Sequence, residues 1–343
     1  MLRRALHTIA ILILFVIPVS SQTGGDNVYE FLNLTYSSLV ASLGGANVSL
    51  MNGDINMSAS NPALLSPGMD RNLALNYVNY FAGINYGTAL YSMSFQKAGS
   101  FSAGLIYLNY GSFKEADESG NITGSFSAAE YAFPFTYAET IDSSFSAGVC
   151  FKPVLSHLEK YTSFGIALDL GVAWHSRDNM TSVGVVMKNA GLQLTTYTSE
   201  KREKLPFEIQ AGISHRLAHA PLRFSFTLRH LEKFDLTYEY NSSNTSSTSE
   251  KSEFGENILR HIIAGAEIIP HKNFYFAAGY NYQRSRELHV ESDLSTVGFS
   301  WGFGINTSFL SIGFGRATFH LAGASNHFTI IVRPDILYKK FRN

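Results

Sequence analysis

Residues 163–175 read SFGIALDLGVAWH, and a large apolar side chain returns at every second position. Phe164, Ile166, Leu168, Leu170, Val172 and Trp174 share one phase; Ser163, Gly165, Ala167, Asp169 and Gly171 share the other. Side chains alternate faces along a strand, so this stretch is a strand with one greasy face and one small or polar face. A helix would repeat near 3.6 residues and does not fit. The run is also long. Globular strands usually span about five or six residues, whereas a strand crossing a bilayer needs about nine to eleven.

The same alternation recurs along the chain. Phe145, Ala147, Val149 and Phe151 oppose Ser144, Ser146, Gly148 and Cys150. Phe207, Ile209, Ala211 and Ile213 oppose Glu208, Gln210, Gly212 and Ser214, and Val297, Phe299, Trp301, Phe303 and Ile305 oppose Gly298, Ser300, Gly302 and Gly304. Composition agrees: only 15% of the 343 residues are charged and 13% are aromatic, against about 25% charged in soluble proteins. Mean hydropathy is +0.01, too low for a helical membrane protein. Two long charge-free runs, 72–96 and 294–315, are peppered with Asn, Gly, Ser and Tyr rather than apolar all round. These features predict a transmembrane antiparallel β-barrel, all-β, with small and polar residues facing a wet lumen.

Such runs predict about fourteen strands, at 72–80, 84–95, 101–110, 128–138, 143–152, 163–175, 180–188, 206–217, 222–240, 258–269, 273–283, 295–305, 308–316 and 326–333. The ninth is read as one extended strand, since Leu222, Phe224, Phe226 and Leu228 stay in phase with Phe234, Leu236, Tyr238 and Tyr240. That choice makes links after even-numbered strands short, as periplasmic turns are, and most links after odd-numbered strands long, as outer loops are. The tract NSSNTSSTSEKS at 241–252 and the charged SEKREK at 199–204 read as solvated outer loops. The final residues, 334–343, read as a short tail or an extension of the last strand.

The chain opens as an export signal, with Arg3 and Arg4, an apolar run from Leu6 to Val19, and small residues Val19, Ser20 and Ser21 before a mature start near Gln22. An uncleaved anchor helix is the rival. The mature protein is then expected in the outer membrane of a Gram-negative bacterium. A net charge of −1 and the absence of a basic block argue against nucleic acid as a partner, and a single cysteine, Cys150, excludes an internal disulfide.

Residues 22–71 lack ten-residue alternation and carry turn signals at Gly44-Gly45 and Asn61-Pro62. A segment of this size is expected to fold back as a hatch or plug in the lumen, or else to extend into the periplasm. SLGGANVSL at 42–50 and NPALL at 61–65 resemble the start of FadL-type outer-membrane proteins. That resemblance implies a fourteen-stranded barrel with an N-terminal hatch, its motif falling on Gly44, Gly45, Asn61, Pro62 and Ala63. More narrowly, TGGDNVYEFLNLTYSSLVASLGG at 23–45 and DINMSASNPALL at 54–65 are similar to the PorQ family of the type IX secretion system of Bacteroidota. The narrower resemblance implies a surface anchor without enzymatic activity or cofactor. It would hold a PorZ-like protein beside a PorU-like sortase and a PorV-like barrel, among lipopolysaccharide, in the attachment complex.

Catalytic patterns are weak. Ser94-Phe95-Gln96-Lys97 fits S-x-x-K, but the accompanying S-D-N and K-T-G elements are missing. His215 and His219 flank a predicted turn, and Gly302-Phe303-Gly304 lies mid-strand without a following helix. Asp169, His175, His261 and Glu267 are the candidates for a barrel-wall hydrolase site. The expectation is a structural scaffold, with a FadL-like channel for small hydrophobic molecules as the alternative; aromatics in 111–137 would line such a channel, or else sit in an outward girdle.

Overall fold

The computed structural model describes residues 27–80, 83–96, 98–198, 201–236, 250–287, 296–320 and 323–336. The proposed signal segment, most of the 241–252 tract and the last seven residues lie outside them. The described residues form fifteen strands: β1 Leu73–Asn79, β2 Asn85–Phe95, β3 Gly99–Ala116, β4 Ile122–Ala132, β5 Phe135–Thr140, β6 Phe145–Leu158, β7 Tyr161–His175 and β8 Thr181–Thr195; then β9 Glu208–Arg216, β10 Leu222–Leu228, β11 Ile262–His271, β12 Phe274–Asn281, β13 Phe299–Asn306, β14 Leu310–His320 and β15 Gly323–Val332. Neighbours pair antiparallel, and β1 pairs with β15 from Leu73↔Val332 to Asn79↔Asn326, closing the sheet.

The wall has fourteen staves because β4 and β5 are one stave with a break. Both keep a single register against β3, with Ile106↔Ala132 and Ala103↔Phe135, and against β6. The break falls at Phe133-Pro134. Gly104 N–H donates to Pro134 O, and Phe133 N–H to Pro153 O, each at 3.0 Å. Neither proline can return a bond, so two adjacent ladder pairs are half made.

Alternation becomes orientation. On β7, Phe164, Leu170, Val172 and Trp174 are exposed while Ser163, Ala167, Asp169 and Ala173 are buried inside. Exposed Tyr77, Phe151, Trp301, Phe303, Phe328 and Ile330 continue the outer belt. So large an apolar belt is stable only against lipid. Among the described residues no helix is long and apolar enough to cross a membrane.

The interior is not the wet space that the small residues suggest. Residues 28–69 run through the lumen in short helical turns, among them Ser38–Ser42, Met57–Ser60 and Pro62–Leu64. The hydrophobic core lies between this segment and the wall: Tyr29, Phe31, Tyr36 and Ile55 pack with Tyr86, Leu90, Ile106 and Leu108. The lumenal glycines are the clearance for it. A Cβ would stand 2.0 Å from Asn61 Oδ1 at Gly171, 2.0 Å from Val48 O at Gly184, and 2.2 Å from Gly44 N at Gly279.

All six links at one end are short, at 96–98, 141–144, 176–180, 217–221, 272–273 and 307–309, and both barrel termini share that end. At the other end only 196–207, 229–261 and 282–298 are long. The expected loops 111–127 and 153–162 are largely strand, and the first seven residues of 189–205 continue β8. The ends of β3 and β4 are exposed on both faces, so alternation fades there without the strand ending. On β8 a bulge opposite Asp169 displaces the register between Leu168↔Ala190 and Leu170↔Met187. The phase then flips, from exposed Val185 to exposed Leu192 and Leu194. The expected ninth strand, 222–240, instead stops at Leu228. Beyond it, Arg229, His230 and Glu232 turn back onto β9.

Candidate functional site

The site is the lumen, and its floor plan is set by how residues 28–69 are tied to the wall. Asn61 is the best-anchored side chain. Its Nδ2 donates to Val48 O at 3.0 Å and to Val172 O on β7 at 3.2 Å, while its Oδ1 accepts from Ala63 N at 3.0 Å. The last bond caps the turn Pro62–Leu64, whose first residue is a proline with no donor to lose. Pro62 and Ala63 press on Gly148 of β6, and Ser146 Oγ donates to Ala63 O at 2.8 Å. Gly44 and Gly45 have φ of 99° and 97° and end the helix Ser38–Ser42, with Gly45 N donating to Val40 O at 3.0 Å. Asn281 Nδ2 of β12 donates to Gly44 O at 3.3 Å. The five motif residues thus hold the segment at two separate parts of the wall, β6–β7 and β12.

Asn61→Ala removes the bond to Val48 O within the segment, the bond to Val172 O of the wall, and the cap. It is expected to lower unfolding free energy by about 3 kcal/mol, read as the urea midpoint of the detergent-solubilised barrel. The same variant should expose residues 28–69 to protease.

A polar lattice braces the wall. Lys152 Nζ lies 2.7 Å from Asp169 Oδ1 and donates to Asn189 Oδ1 at 2.6 Å. Asn189, at φ 56°, sits in the β8 bulge; its N–H donates to Asp169 at 2.8 Å and its Nδ2 to Asn33 Oδ1 of the lumenal segment at 2.8 Å. Arg229 makes a two-pronged contact with Glu208, both bonds 2.7 Å, and Arg223 does the same with Glu267 at 2.6 and 2.7 Å.

Between these ties lie three spaces. An outer pocket of about 450 Å³ is lined by Tyr29, Tyr110, Phe113, Leu158, Tyr197 and Glu130. A central cavity of about 60 Å³ lies among Leu32, Tyr36, Ala46, Ile106, Cys150 and Lys188. An inner pocket of about 460 Å³, toward the short turns, is lined by Tyr275, Asp54, Arg216, Arg223, Lys272 and Arg333. Burial pushes the Asp54 carboxyl up to about 6, against the pull of Asn56 hydrogen bonds and of Arg333. A cavity that holds a benzene ring measures about 150 Å³, so the central space admits a few waters and no hydrocarbon. The outer and inner pockets are therefore separated by packed chain.

The candidate catalytic residues are not brought together. Asp169 pairs with Lys152 and Glu267 with Arg223, His261 bonds the carbonyls of Arg229 and Phe234, and His175 bonds Ser176 O. Ser94 Oγ donates to Ser100 Oγ at 2.9 Å, and His215 contacts Thr181 at 2.8 Å. Among the described residues no three His, Cys, Asp or Glu side chains are placed to hold a metal ion. Of the aromatics in 111–137, Phe113 lines the outer pocket, whereas Phe133 and Phe135 face outward. Sequence reasoning missed Tyr29, Tyr110, Tyr197 and Glu130, although Tyr110 and Glu130 fall inside the expected strands 101–110 and 128–138.

Together these features define an outer-membrane β-barrel whose lumen is occupied by its own N-terminal segment. No family model and no curated protein matches the chain. Solved structures do. The Ralstonia pickettii toluene transporter TbuX is 12% identical over 88% of this chain and 98% of its own, with a TM-score of 0.53. The Pseudomonas putida toluene transporter TodX is 13% identical over 87% and 96%, with a TM-score of 0.51. A Pseudomonas aeruginosa FadL homologue is 12% identical over 90% and 99%, at 0.49. At these identities the likeness is one of fold. None of these structures carries the narrower PorQ-like assignment.

Proposed function

We propose that this barrel is a channel by which small hydrophobic molecules cross the outer membrane, with residues 28–69 as its hatch. The observation that supports it is the pair of pockets, about 450 and 460 Å³, at opposite ends of one lumen and separated by a non-covalently seated segment. The outer one is lined by aromatic rings, which suits an apolar solute. Proteins of the same fold are described as toluene transporters. Passage requires the hatch to shift, since the central cavity is too small. Cells of a Gram-negative host expressing the barrel should take up radiolabelled toluene faster than cells with empty vector, because their lipopolysaccharide leaflet retards apolar solutes. Equal initial rates would sink the channel.

A second reading keeps the barrel as an anchor for a PorZ-like surface protein of a type IX attachment complex. It draws on the resemblance in residues 23–65 and on the protruding β3–β4 hairpin, where Phe113 stacks on Phe126 and Ile122 is 63% exposed. Stoichiometric recovery of a large surface protein after mild-detergent extraction from the native membrane would favour it. Recovery of the barrel alone would leave the channel.

A further inference from the structure

Four carboxylates among the described residues are at most 4% exposed: Glu130, Asp169, Glu208 and Glu267. Three have a cation in contact, Lys152 for Asp169, Arg229 for Glu208 and Arg223 for Glu267. Glu130, 4% exposed, is the exception. Its hydrogen-bond partners are neutral: Tyr110 OH donates to Oε2 at 2.6 Å, and Ser156, itself an acceptor from Tyr197 OH at 2.6 Å, contacts it too. This carboxylate lines the outer pocket beside Tyr29, Tyr110, Phe113 and Tyr197. Glu30 and Glu203 stand in the same lining, which contains no lysine or arginine. Neither of them takes part in an ion pair among the described residues. Basic residues Lys201, Arg202 and Lys204 flank Glu203 but are exposed, outside the lining.

A concave site walled by four aromatic rings and carrying acids without bases has a definite electrostatic preference. Ring faces are negative at their centres and attract cations, more strongly where water is excluded. An ionised carboxylate lacking a counter-charge in such a place is costly, and a cation supplied by a ligand relieves that cost. We propose that the outer pocket is a binding site for amphipathic organic cations, aromatic or alkyl amines protonated at neutral pH. The ammonium sits at Glu130, and the apolar body lies against Tyr29, Phe113 and Tyr197. Only onward passage through the lumen rests on the channel reading; occupancy of the pocket stands without it.

The test is calorimetry on the detergent-purified full chain with three probes of one shape: 4-phenylbutylamine, 4-phenylbutanol and 4-phenylbutyrate. The amine should bind roughly tenfold more tightly than the alcohol, the worth of one partly desolvated cation contact, and the acid most weakly. Glu130→Gln should erase the amine's advantage and leave the alcohol's affinity unchanged. An alcohol that binds as well as the amine, or an advantage that survives in Glu130→Gln, overturns the proposal. If that variant yields no heat-modifiable folded barrel, a salt titration of the unaltered protein decides: an amine advantage that shrinks with salt supports the site, and one indifferent to salt overturns it. Failure of toluene uptake in cells with the amine preference intact would remove the channel and leave the site.

Discussion

Gly184→Leu should drive the N-terminal segment off the wall and cost about 3 kcal/mol, the upper end of what overpacking does. A Cβ at this β8 position would lie 2.0 Å from Val48 O, 2.9 Å from Val48 C and 3.0 Å from Asn61 Nδ2. Two of those atoms are backbone, and Val48 O is pinned by its bond from Asn61. A flexible side-chain tip would swing aside; a pinned carbonyl does not. Neighbouring staves offer no slack either, since Gly212 of β9, which pairs with Gly184, meets Val48 Cγ2 within 3.1 Å of its own Cβ position. Protease should then cleave within 28–69 while the barrel itself persists, and toluene uptake should rise. Repeating the substitution in a barrel lacking residues 28–69 isolates the contact. There the leucine should be close to neutral. An equal loss in both backgrounds would mean that the wall, not the segment, demands the glycine.

The same contact explains what the sequence could and could not disclose. The wall was legible because a lipid-facing phase has one chemical requirement, and Phe164 through Trp174 meet it at every second residue. The lumenal phase is ambiguous. Gly171, Gly184 and Gly279 satisfy a water-filled interior and a close-packed backbone equally well, and only the path of residues 28–69 separates the two. Strand ends were lost for different reasons. At Asn189 one extra residue flips the phase, so a continuing strand reads as a stop. At Arg229 the reverse holds: Phe234 and Leu236 continue the rhythm of Leu228, yet the chain has left the sheet. What ends it there is long-range, the pairing with Glu208 on β9. Asn61 and Gly44 were picked out by resemblance to a motif; the reason for those residue types, the carbonyls of Val48 and of the wall residue Val172 to satisfy and a left-handed turn to make, is visible only in the fold.

The pairing of Glu208 with Arg229 carries the other large effect. Glu208 opens β9 and is fully inaccessible, and Arg229 follows the last residue of β10. Arg229 N–H also donates to His261 O at 2.9 Å, while His261 Nδ1 meets Arg229 O at 2.6 Å and Glu232 accepts from Ile209 N at 2.8 Å. Arg229 therefore ties the end of β10 to β9 through Glu208 and to the start of β11 through His261. Glu208→Gln leaves a guanidinium that is only 15% exposed without its paired carboxylate and should cost about 3 kcal/mol. Removing both charges, as Glu208→Gln with Arg229→Met, should recover most of that loss, because desolvating the pair offsets much of its attraction. A double variant no better than the single would place the value in the hydrogen-bonded knot rather than in charge balance. The knot belongs to the wall, so protease sensitivity within 28–69 should stay unchanged in Glu208→Gln, the opposite of Gly184→Leu. If both variants freed the segment alike, the barrel and its lumenal chain would unfold as one unit, and a segment that cannot move without the wall could not act as a hatch.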